Sequence, residues 1–317
     1  MEYRRLGKSG LKASEIGLGS GGSSWPSTAD EKTPIDIVNH ALELGINFID
    51  TSDTAAEGRA EVLLGKALKG KRSQVVIATK FRNRGIGPSE QPGSRNNIMK
   101  AVEVSLKRLE TEYIDLYYMH FPDPETSIEE TLRALDDLVR VGKVRYIGCS
   151  NFAGWQLCEA LWTSKAHNLE PFIVVQSSYS LMDRAIEREL IPCCQAYGVG
   201  VIPLRPLAAG FLTGKYRRGQ ERPAGARLSA PGPRHEGQSD RPNMFTDANF
   251  DKLAKLEAFA KERGHSVGEL ALAWLLSHPW VGSVIPGATS VEQVRLNVAA
   301  VGWKLTTEDI ALLDKIL

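Results

Sequence analysis

Eight short apolar runs recur along this chain, and amphipathic segments with helical periodicity separate them. Runs of this length that are rich in β-branched and aromatic residues predict buried parallel strands. The runs cover residues 15–20, 47–51, 75–80, 114–120, 144–150, 172–178, 198–206 and 282–287. Ser127, Ser266 and Ser290 are each followed three residues later by Glu or Gln, a helix-start signal. Eight strands, each followed by a helix, predict a (β/α)8 TIM barrel. A doubly wound parallel sheet is the alternative.

Two segments fall outside this repeat. Residues 3–14 predict a β-hairpin that turns at Ser9 and Gly10 and closes the N-terminal face of the barrel. Residues 207–248 form a long excursion dominated by Pro, Gly, Arg and Ser. A loop of that length predicts either a disordered insertion or a flap over a ligand at the C-terminal face. We therefore expect a single barrel domain over residues 1–317, with these two additions.

The amino-acid composition argues against several classes of protein. The 39 Lys and Arg residues nearly balance the 38 Asp and Glu residues, which argues against nucleic acid and acidic membrane surfaces as partners. We expect no secretion signal or membrane span, because no apolar stretch reaches the length a span needs. The cysteines are too few for a disulfide framework, so a reducing cytoplasm is predicted. They are Cys149, Cys158, Cys193 and Cys194.

Charged or titratable residues end three of the predicted strands. Asp50 ends NFID, Lys80 ends VVIATK and His120 ends IDLYYMH. In a barrel of parallel strands, side chains at the carboxyl ends converge on one face, where active sites lie. The pattern predicts an active site built from several strands. A metal-dependent hydrolase is not favoured, because the other five histidines are scattered and His120 alone ends a predicted strand.

From end to end the chain resembles the aldo-keto reductases, a (β/α)8 family of NAD(P)(H)-dependent carbonyl reductases. The matching stretches are INFIDTSD with EGRAEVLLGKAL, VIATK, IDLYYMHFPD, VRYIGCSNF, VVQSSYSLMDR, RPLAAGFLTGKY and SVIPGATSVEQVRLN. The resemblance implies hydride transfer between a nicotinamide and a small carbonyl or alcohol substrate. It implies that Asp50 orients Lys80, that Lys80 lowers the pKa of a catalytic tyrosine, and that His120 polarises the carbonyl oxygen.

Ala55 occupies the position of that tyrosine. The loop TSDTAAEGR matches the family's loop without a gap, and the nearest tyrosines, Tyr117 and Tyr118, lie inside a predicted strand. Losing a general acid lowers the rate by about 10² to 10⁴. We therefore expect cofactor binding with very weak carbonyl reduction. The replacement is either engineered or natural, and the otherwise intact site favours the engineered origin.

The resemblance also implies a set of ligand-binding positions. The predicted cofactor residues are Gly19, Ser20, Asp50, Ser150, Asn151, Gln176, Arg205, Leu207, Ala209, Lys215, Gly287, Thr289, Gln293 and Asn297. Trp25 and Phe121 are the predicted substrate walls, and no metal is expected. NADP is favoured and NAD stays open, because Gly287 and Gln293 stand where many relatives carry Lys and Arg. A cofactor-binding regulatory protein, like the potassium-channel β subunits of this family, is the alternative function.

Overall fold

A curved sheet of parallel strands forms the centre of the molecule, with neighbours paired in chain order. The computed structural model describes residues 1–20, 25, 30–82, 91–223, 228 and 244–317. The parallel strands are β3 (Leu18–Gly19), β4 (Phe48–Asp50), β5 (Val76–Phe81), β6 (Ile114–Met119), β7 (Val144–Ser150), β8 (Val174–Ser178) and β9 (Gly200–Leu204). They correspond to the first seven predicted runs, since β1 and β2 belong to the N-terminal hairpin.

The eighth run closes the sheet into a barrel. Val281 pairs with Val201 of β9, and Val284 pairs with Ile16 next to β3. The Val284 N–H donates to Glu15 O at 2.8 Å. The predicted (β/α)8 barrel is therefore confirmed, although the eighth run pairs through single bridges rather than as a regular strand. Pro286 lacks an N–H, but its carbonyl accepts from the Gly19 N–H at 3.1 Å.

Helices connect the strands and cover the outside of the barrel. They are α1 (Lys32–Glu43), α2 (Arg59–Ala67), α3 (Arg95–Arg108), α4 (Ile128–Arg140), α5 (Gly154–His167), α6 (Leu190–Tyr197), α7 (Asp247–Glu262), α8 (Val267–Leu276), α9 (Val291–Ala299) and α10 (Thr307–Ile316). The predicted starts at Ser127, Ser266 and Ser290 are confirmed. Each serine hydroxyl accepts a backbone N–H three residues on, at 3.2 to 3.3 Å.

The predicted N-terminal hairpin is present and seals one end of the barrel. Strands β1 (Tyr3–Arg5) and β2 (Lys12–Ser14) pair antiparallel. Leu6, in the turn, is fully buried among the apolar side chains of the barrel interior. Gly7 has a φ of +60°, and a Cβ there would lie 2.5 Å from Ile173 O, just before β8 begins. The turn therefore packs against the N-terminal ends of the strands, as expected.

The excursion at 207–248 is more regular at its edges than the sequence suggests. A short 3-10 segment spans Ala208–Thr213, and α7 already begins at Asp247. The choice between a disordered insertion and a flap concerns residues 224–227 and 229–243, which lie outside the described residues. Within the described ranges, no helix has the length and apolar character needed to cross a membrane.

Strand alternation decides which side chains face the barrel interior. Successive strand residues point to opposite faces. Phe48, Val76, Ala78, Tyr118 and Val174 belong to one interior apolar cluster. The next inward positions after Phe48, Ala78, Tyr118 and Val174 carry polar side chains, which places a polar layer on top of an apolar one.

Candidate active site

The top layer of the barrel interior brings the predicted strand-end residues together. Asp50 follows inward-facing Phe48 by two residues, and Lys80 follows Ala78 in the same way. Asp50 and Lys80 are each only 4% exposed. Charged groups at such depth are stable only when they are paired and hydrogen-bonded.

Asp50, Lys80 and Gln176 form a continuous buried hydrogen-bond chain. Lys80 Nζ donates to Asp50 Oδ1 at 2.5 Å and to Thr51 O at 2.7 Å. Gln176 Nε2 donates to the second carboxylate oxygen, Asp50 Oδ2, at 3.0 Å. Both oxygens of the carboxylate are therefore engaged, and the ammonium is fixed in direction. The pairing of Asp50 with Lys80 is the one the sequence predicted.

His120 stands beside this chain as a neutral imidazole. Burial, reinforced by the charges of Lys80 and Arg82, lowers the pKa of His120 to about 2. Its Nδ1 is buried and has no hydrogen-bond partner among the described residues. The ring stacks on Phe121, with 4.9 Å between ring centroids. A neutral ring carries one N–H, so His120 can donate to a substrate oxygen without carrying charge.

Ala55 lies in a loop whose backbone is fixed by its neighbours. The Thr51 N–H donates to Ala78 O at 2.8 Å, and the Asp53 N–H donates to Lys80 O at 3.0 Å. Ala55 is buried. The next residue, Ala56, has a φ of +47°, in the left-handed region. These backbone hydrogen bonds hold the loop beside Lys80, and the side chain of residue 55 contributes only a methyl group.

Tyr117 and Tyr118 are neighbouring residues of β6, and both are buried. The Tyr118 ring centroid lies 5.6 Å from Lys80 Nζ. Burial, together with the charge of Asp50, raises the pKa of Tyr118 well above its usual value. Burial does the same for Tyr117. Both phenols are consequently weaker acids than free tyrosine, and neither suits proton donation at neutral pH.

An ion pair between part-buried Arg108 and buried Glu61, which the sequence reasoning missed, holds this loop. Arg108 Nη1 donates to Glu61 Oε2 at 3.2 Å and to the Asp53 carbonyl at 3.1 Å. Thr79, next to Lys80, donates to Glu61 Oε1 at 2.7 Å. Gly58 has a φ of +85°, and a Cβ there would lie 2.2 Å from Arg108 Cζ. Glu61 and Arg108 thus hold both the loop and the strand that carries Lys80. Burial raises the pKa of Glu61.

Ser150 and Asn151 lie next to His120, at the end of β7. Asn151 Nδ2 donates to His120 O and to Ser150 Oγ, each at 3.0 Å. Asn151 has a φ of +61°, an uncommon conformation that tends to occur at functional sites. Its amide N–H groups therefore brace the backbone of His120, while the predicted contact of both residues with a nicotinamide stays a prediction.

Gln176 offers an unused acceptor that fits a nicotinamide amide. Its Oε1 atom is buried and has no partner with hydrogen-bond geometry among the described residues. An unsatisfied buried amide oxygen is costly unless a ligand donor reaches it. The carboxamide of a nicotinamide carries such a donor. The residues present therefore fit this cofactor.

Beyond the ends of β8 and β9 lies a cavity of about 230 Å³. Arg205, Ala208 and Ala209 line it together with Ser178 and Asp183. Arg205, Ala208 and Ala209 all have positive φ values, between +48° and +57°. Turns of this kind point backbone N–H groups into a concave surface and favour anions. The Ala208 N–H donates to Arg205 O at 2.9 Å within this turn, and the contact of Arg205 and Ala209 with a pyrophosphate stays a prediction.

The other predicted cofactor positions divide into two groups. Ser20 N–H donates to Asp50 O at 2.9 Å, and Gly19 pairs with Gly287, so these three lie at the rim of the polar layer. At the start of α9, Gln293 Oε1 accepts from Thr289 N at 2.8 Å, and Asn297 is buried on the same helix. Leu207 is half-buried, and Lys215 Nζ lies 5.3 Å from the Tyr216 ring centroid. None of these contacts tests their role in cofactor binding.

The two predicted substrate walls differ in exposure. Trp25 is 1% exposed and belongs to the core. Phe121 is half-buried and contacts both His120 and Arg82, whose Cζ lies 4.5 Å from its ring centroid. Arg82 was not among the predicted site residues. Its position two residues beyond Lys80, on the same alternation, was a signal that could have identified it.

Comparison with known proteins assigns the family. The family model described as "Aldo/keto reductase family" matches residues 15–317. The chain belongs to this family. It is 36% identical over 304 residues to a probable voltage-gated potassium channel subunit beta of Oryza sativa subsp. japonica, covering 95% of this chain and 91% of that protein.

Other relatives of this aldo/keto reductase have names that describe enzymes. The chain is 35% identical over 311 residues to probable aldo-keto reductase 1 of Glycine max, which covers 96% of this chain and 86% of that protein. It is 35% identical over 326 residues to aldo-keto reductase YhdN of Bacillus subtilis, and the match covers 100% of this chain and 94% of that protein. The family predicted from the motifs is confirmed, and with it the oxidoreductase class.

Proposed function

We propose that this aldo/keto reductase binds NADP(H), with NAD(H) as the weaker choice, and interconverts a small carbonyl compound and its alcohol. The observation that carries the proposal is the buried chain from Gln176 through Asp50 to Lys80, lying beside a neutral His120. When bound, the cofactor supplies or accepts the hydride. The free cysteines of the chain suit a reducing cytoplasm, where we place this activity.

Each residue of the chain has a distinct task in this proposal. His120 donates its N–H to the carbonyl oxygen and stabilises the negative charge that develops there. Lys80 keeps a positive charge within reach of that oxygen, and Asp50 holds the ammonium in place. Gln176, Ser150 and Asn151 orient the carboxamide of the cofactor, and Arg205 with the turn around Ala209 faces its phosphates.

The alanine at position 55 limits the rate of carbonyl reduction in this proposal, because its side chain cannot donate a proton. The alkoxide oxygen needs a proton, and neither Tyr117 nor Tyr118 is a suitable donor, because burial raises the pKa values of both phenols. We therefore propose that the chain binds cofactor and carbonyl compound but reduces the carbonyl about 10² to 10⁴ times more slowly than a protein with a tyrosine at this position.

A second candidate function is a cofactor-binding regulatory protein. The similarity to proteins named as potassium channel β subunits favours it, together with the alanine at position 55. Both candidates require cofactor binding. They differ in whether the site catalyses hydride transfer once a phenol is supplied.

The deciding experiment compares this chain with its variants Ala55→Tyr and Ala55→Phe. NADPH and NADH binding is first measured by fluorescence titration, and NADPH oxidation is then followed with 4-nitrobenzaldehyde. We expect Ala55→Tyr to gain about 10² to 10⁴ in rate. Ala55→Phe, which has the ring but not the hydroxyl, should gain nothing.

Two results would contradict the enzymatic proposal in different ways. If NADPH binds and Ala55→Tyr stays inactive with a panel of aldehydes and ketones, the regulatory function is favoured. If neither cofactor binds, both candidates are wrong.

A further inference from the structure

The outer face of α5 exposes two tryptophans. Trp155 is 62% exposed and Trp162 is 52% exposed. They are seven residues apart, which places them on one face of the helix. The opposite face is buried through Leu157 and Ala160, which belong to the main apolar core. The helix therefore carries large aromatic side chains on the face that lies away from the barrel.

Tyr197, at the end of α6, extends this aromatic surface. It is 42% exposed, and its hydroxyl accepts a hydrogen bond from Trp162 Nε1 at 2.9 Å. The indole N–H of Trp162 thus has its partner within the chain, and the ring offers apolar surface to other molecules. With about half of each side chain exposed and about 200 Å² per side chain, Trp155, Trp162 and Tyr197 offer about 300 Å² of aromatic surface. An exposed apolar patch of this size is often an interaction site.

Glu159 and Lys165 flank Trp162 symmetrically. Each is three residues from Trp162, in opposite directions along the helix, which places them about 60° to either side of it around the helix axis. Both side chains are exposed, and Lys165 Nζ lies 4.7 Å from the Trp162 ring centroid. Within the described part of the chain, neither charge has an ion-pair partner.

This arrangement of charges fits a second copy of the same chain. A two-fold axis can pass through Trp162, in the plane of the contact and perpendicular to the line from Glu159 to Lys165. Such an axis places Glu159 of each copy against Lys165 of the other, and Trp162 against its own copy. A patch of one sign would fit a partner of the opposite charge. One acidic and one basic group at equal distances from the centre instead make the patch complementary to itself.

We propose that the chain forms a symmetric dimer through the outer face of α5, in which the two copies of Trp162 meet at the two-fold axis and Glu159 pairs with Lys165 of the other copy. The inference does not depend on the proposed function. The aromatic side chains of two copies bury at most about 600 Å², about half of the 1,200 Å² at which stable interfaces begin. The dimer should therefore be weak, with a dissociation constant in the micromolar range.

Exchanging the two charges tests the pairing directly. Glu159→Lys and Lys165→Glu each bring like charges together at two places, because the two-fold axis repeats every contact. Sedimentation velocity over about 1 to 500 µM measures the dissociation constant of a dimer this weak. We expect either single variant to raise it at least about tenfold at low salt, and the double variant with both exchanges to restore it to within about threefold. Lys32→Glu is the matched control, since exposed Lys32 lies on α1, on the opposite side of the barrel.

Trp162→Ser tests the apolar part of the contact. It should raise the dissociation constant at least about tenfold at high salt as well, where screening reduces the effect of the charge variants. A chain that is monomeric up to the highest concentration would refute the inference. A dimer that none of these variants weakens has its interface elsewhere, and the inference is then also wrong. If the single charge variants weaken the dimer and the double variant does not restore it, Glu159 and Lys165 do not pair and the two-fold arrangement is wrong.

Discussion

Replacing Lys80 with Met should destabilise the fold strongly, and the loss should depend on pH. In the native chain the Asp50 carboxylate accepts one hydrogen bond from Lys80 and one from Gln176, and it is 4% exposed. Removing the Lys80 ammonium leaves the buried Asp50 carboxylate with one neutral hydrogen-bond donor, the Gln176 amide. Breaking a buried ion pair in this way costs about 3–5 kcal/mol of unfolding free energy.

The size of this loss can also be estimated from protonation. The variant can avoid a buried charge by folding with a neutral Asp50. Protonating an ordinary aspartyl carboxyl, with a pKa of about 3.9, costs about 4 kcal/mol at pH 7 and about 1.5 kcal/mol at pH 5. The folded variant binds one proton more than its unfolded state, so its deficit relative to the native chain should shrink as the pH falls through this range.

Urea unfolding of both proteins, followed by circular dichroism at pH 7 and pH 5, measures the deficit. The double variant Lys80→Met with Asp50→Asn should recover most of the stability at pH 7, because no carboxylate is left unpaired. Lys66→Met is the matched control. It breaks a 2.7 Å pair with Glu31 that lies at the surface and should cost no more than about 1 kcal/mol. A Lys80→Met deficit below about 1 kcal/mol at pH 7, or one that is equal at both pH values, would refute the reasoning.

Two further predictions concern His120 and Ala56. Because the pKa of His120 is lowered to about 2 in the fold, the unfolded chain takes up a proton below pH 6.5 that the folded chain does not. His120 should therefore lower stability by about 2 kcal/mol between pH 7.5 and pH 5, and His120→Gln should remove that part of the pH dependence of urea unfolding while exposed His167→Gln leaves it unchanged. Ala56 has a φ of +47°, so Ala56→Gly should raise the unfolding free energy by about 0.5–1 kcal/mol. Ala101→Gly, inside α3, should instead lower it by about 1 kcal/mol, and equal effects at the two positions would contradict the argument.

Much of the barrel could be predicted because its signal is local. A buried parallel strand leaves a short apolar run, and the strand-end rule then places Asp50, Lys80 and His120 at one face, whereas Gln176 was predicted from the family resemblance. The prediction was less accurate where the first and last strands meet to close the barrel. The first run keeps only Leu18–Gly19 as a regular strand, and the last run pairs through single bridges. The hydrogen bonds that close a barrel depend on the tilt of all the strands, which no single segment of sequence encodes.

The supporting contacts of the site were not predictable from the same signals. Arg108 is a residue of an ordinary amphipathic helix until the fold brings it to Asp53, 55 positions earlier in the chain. The amide of Asn151 donates to the carbonyl of His120 from a residue in the left-handed conformation. Side-chain direction and long-range approach decide both contacts, and strand periodicity carries no information about either.

The anchoring of the loop at residues 51–58 explains how the Asp50–Lys80 pair can coexist with an alanine at position 55. The loop is held through Thr51, Asp53 and Gly58, by backbone hydrogen bonds to β5 and by Arg108. None of these ties involves the side chain at position 55. The Asp50–Lys80 pair is likewise independent of it, because the Lys80 ammonium donates to Asp50 and to the Thr51 carbonyl. The Asp50–Lys80 pair therefore depends on the fold of the barrel and not on residue 55. In the proposed reaction, the rate depends on which group donates a proton to the substrate oxygen.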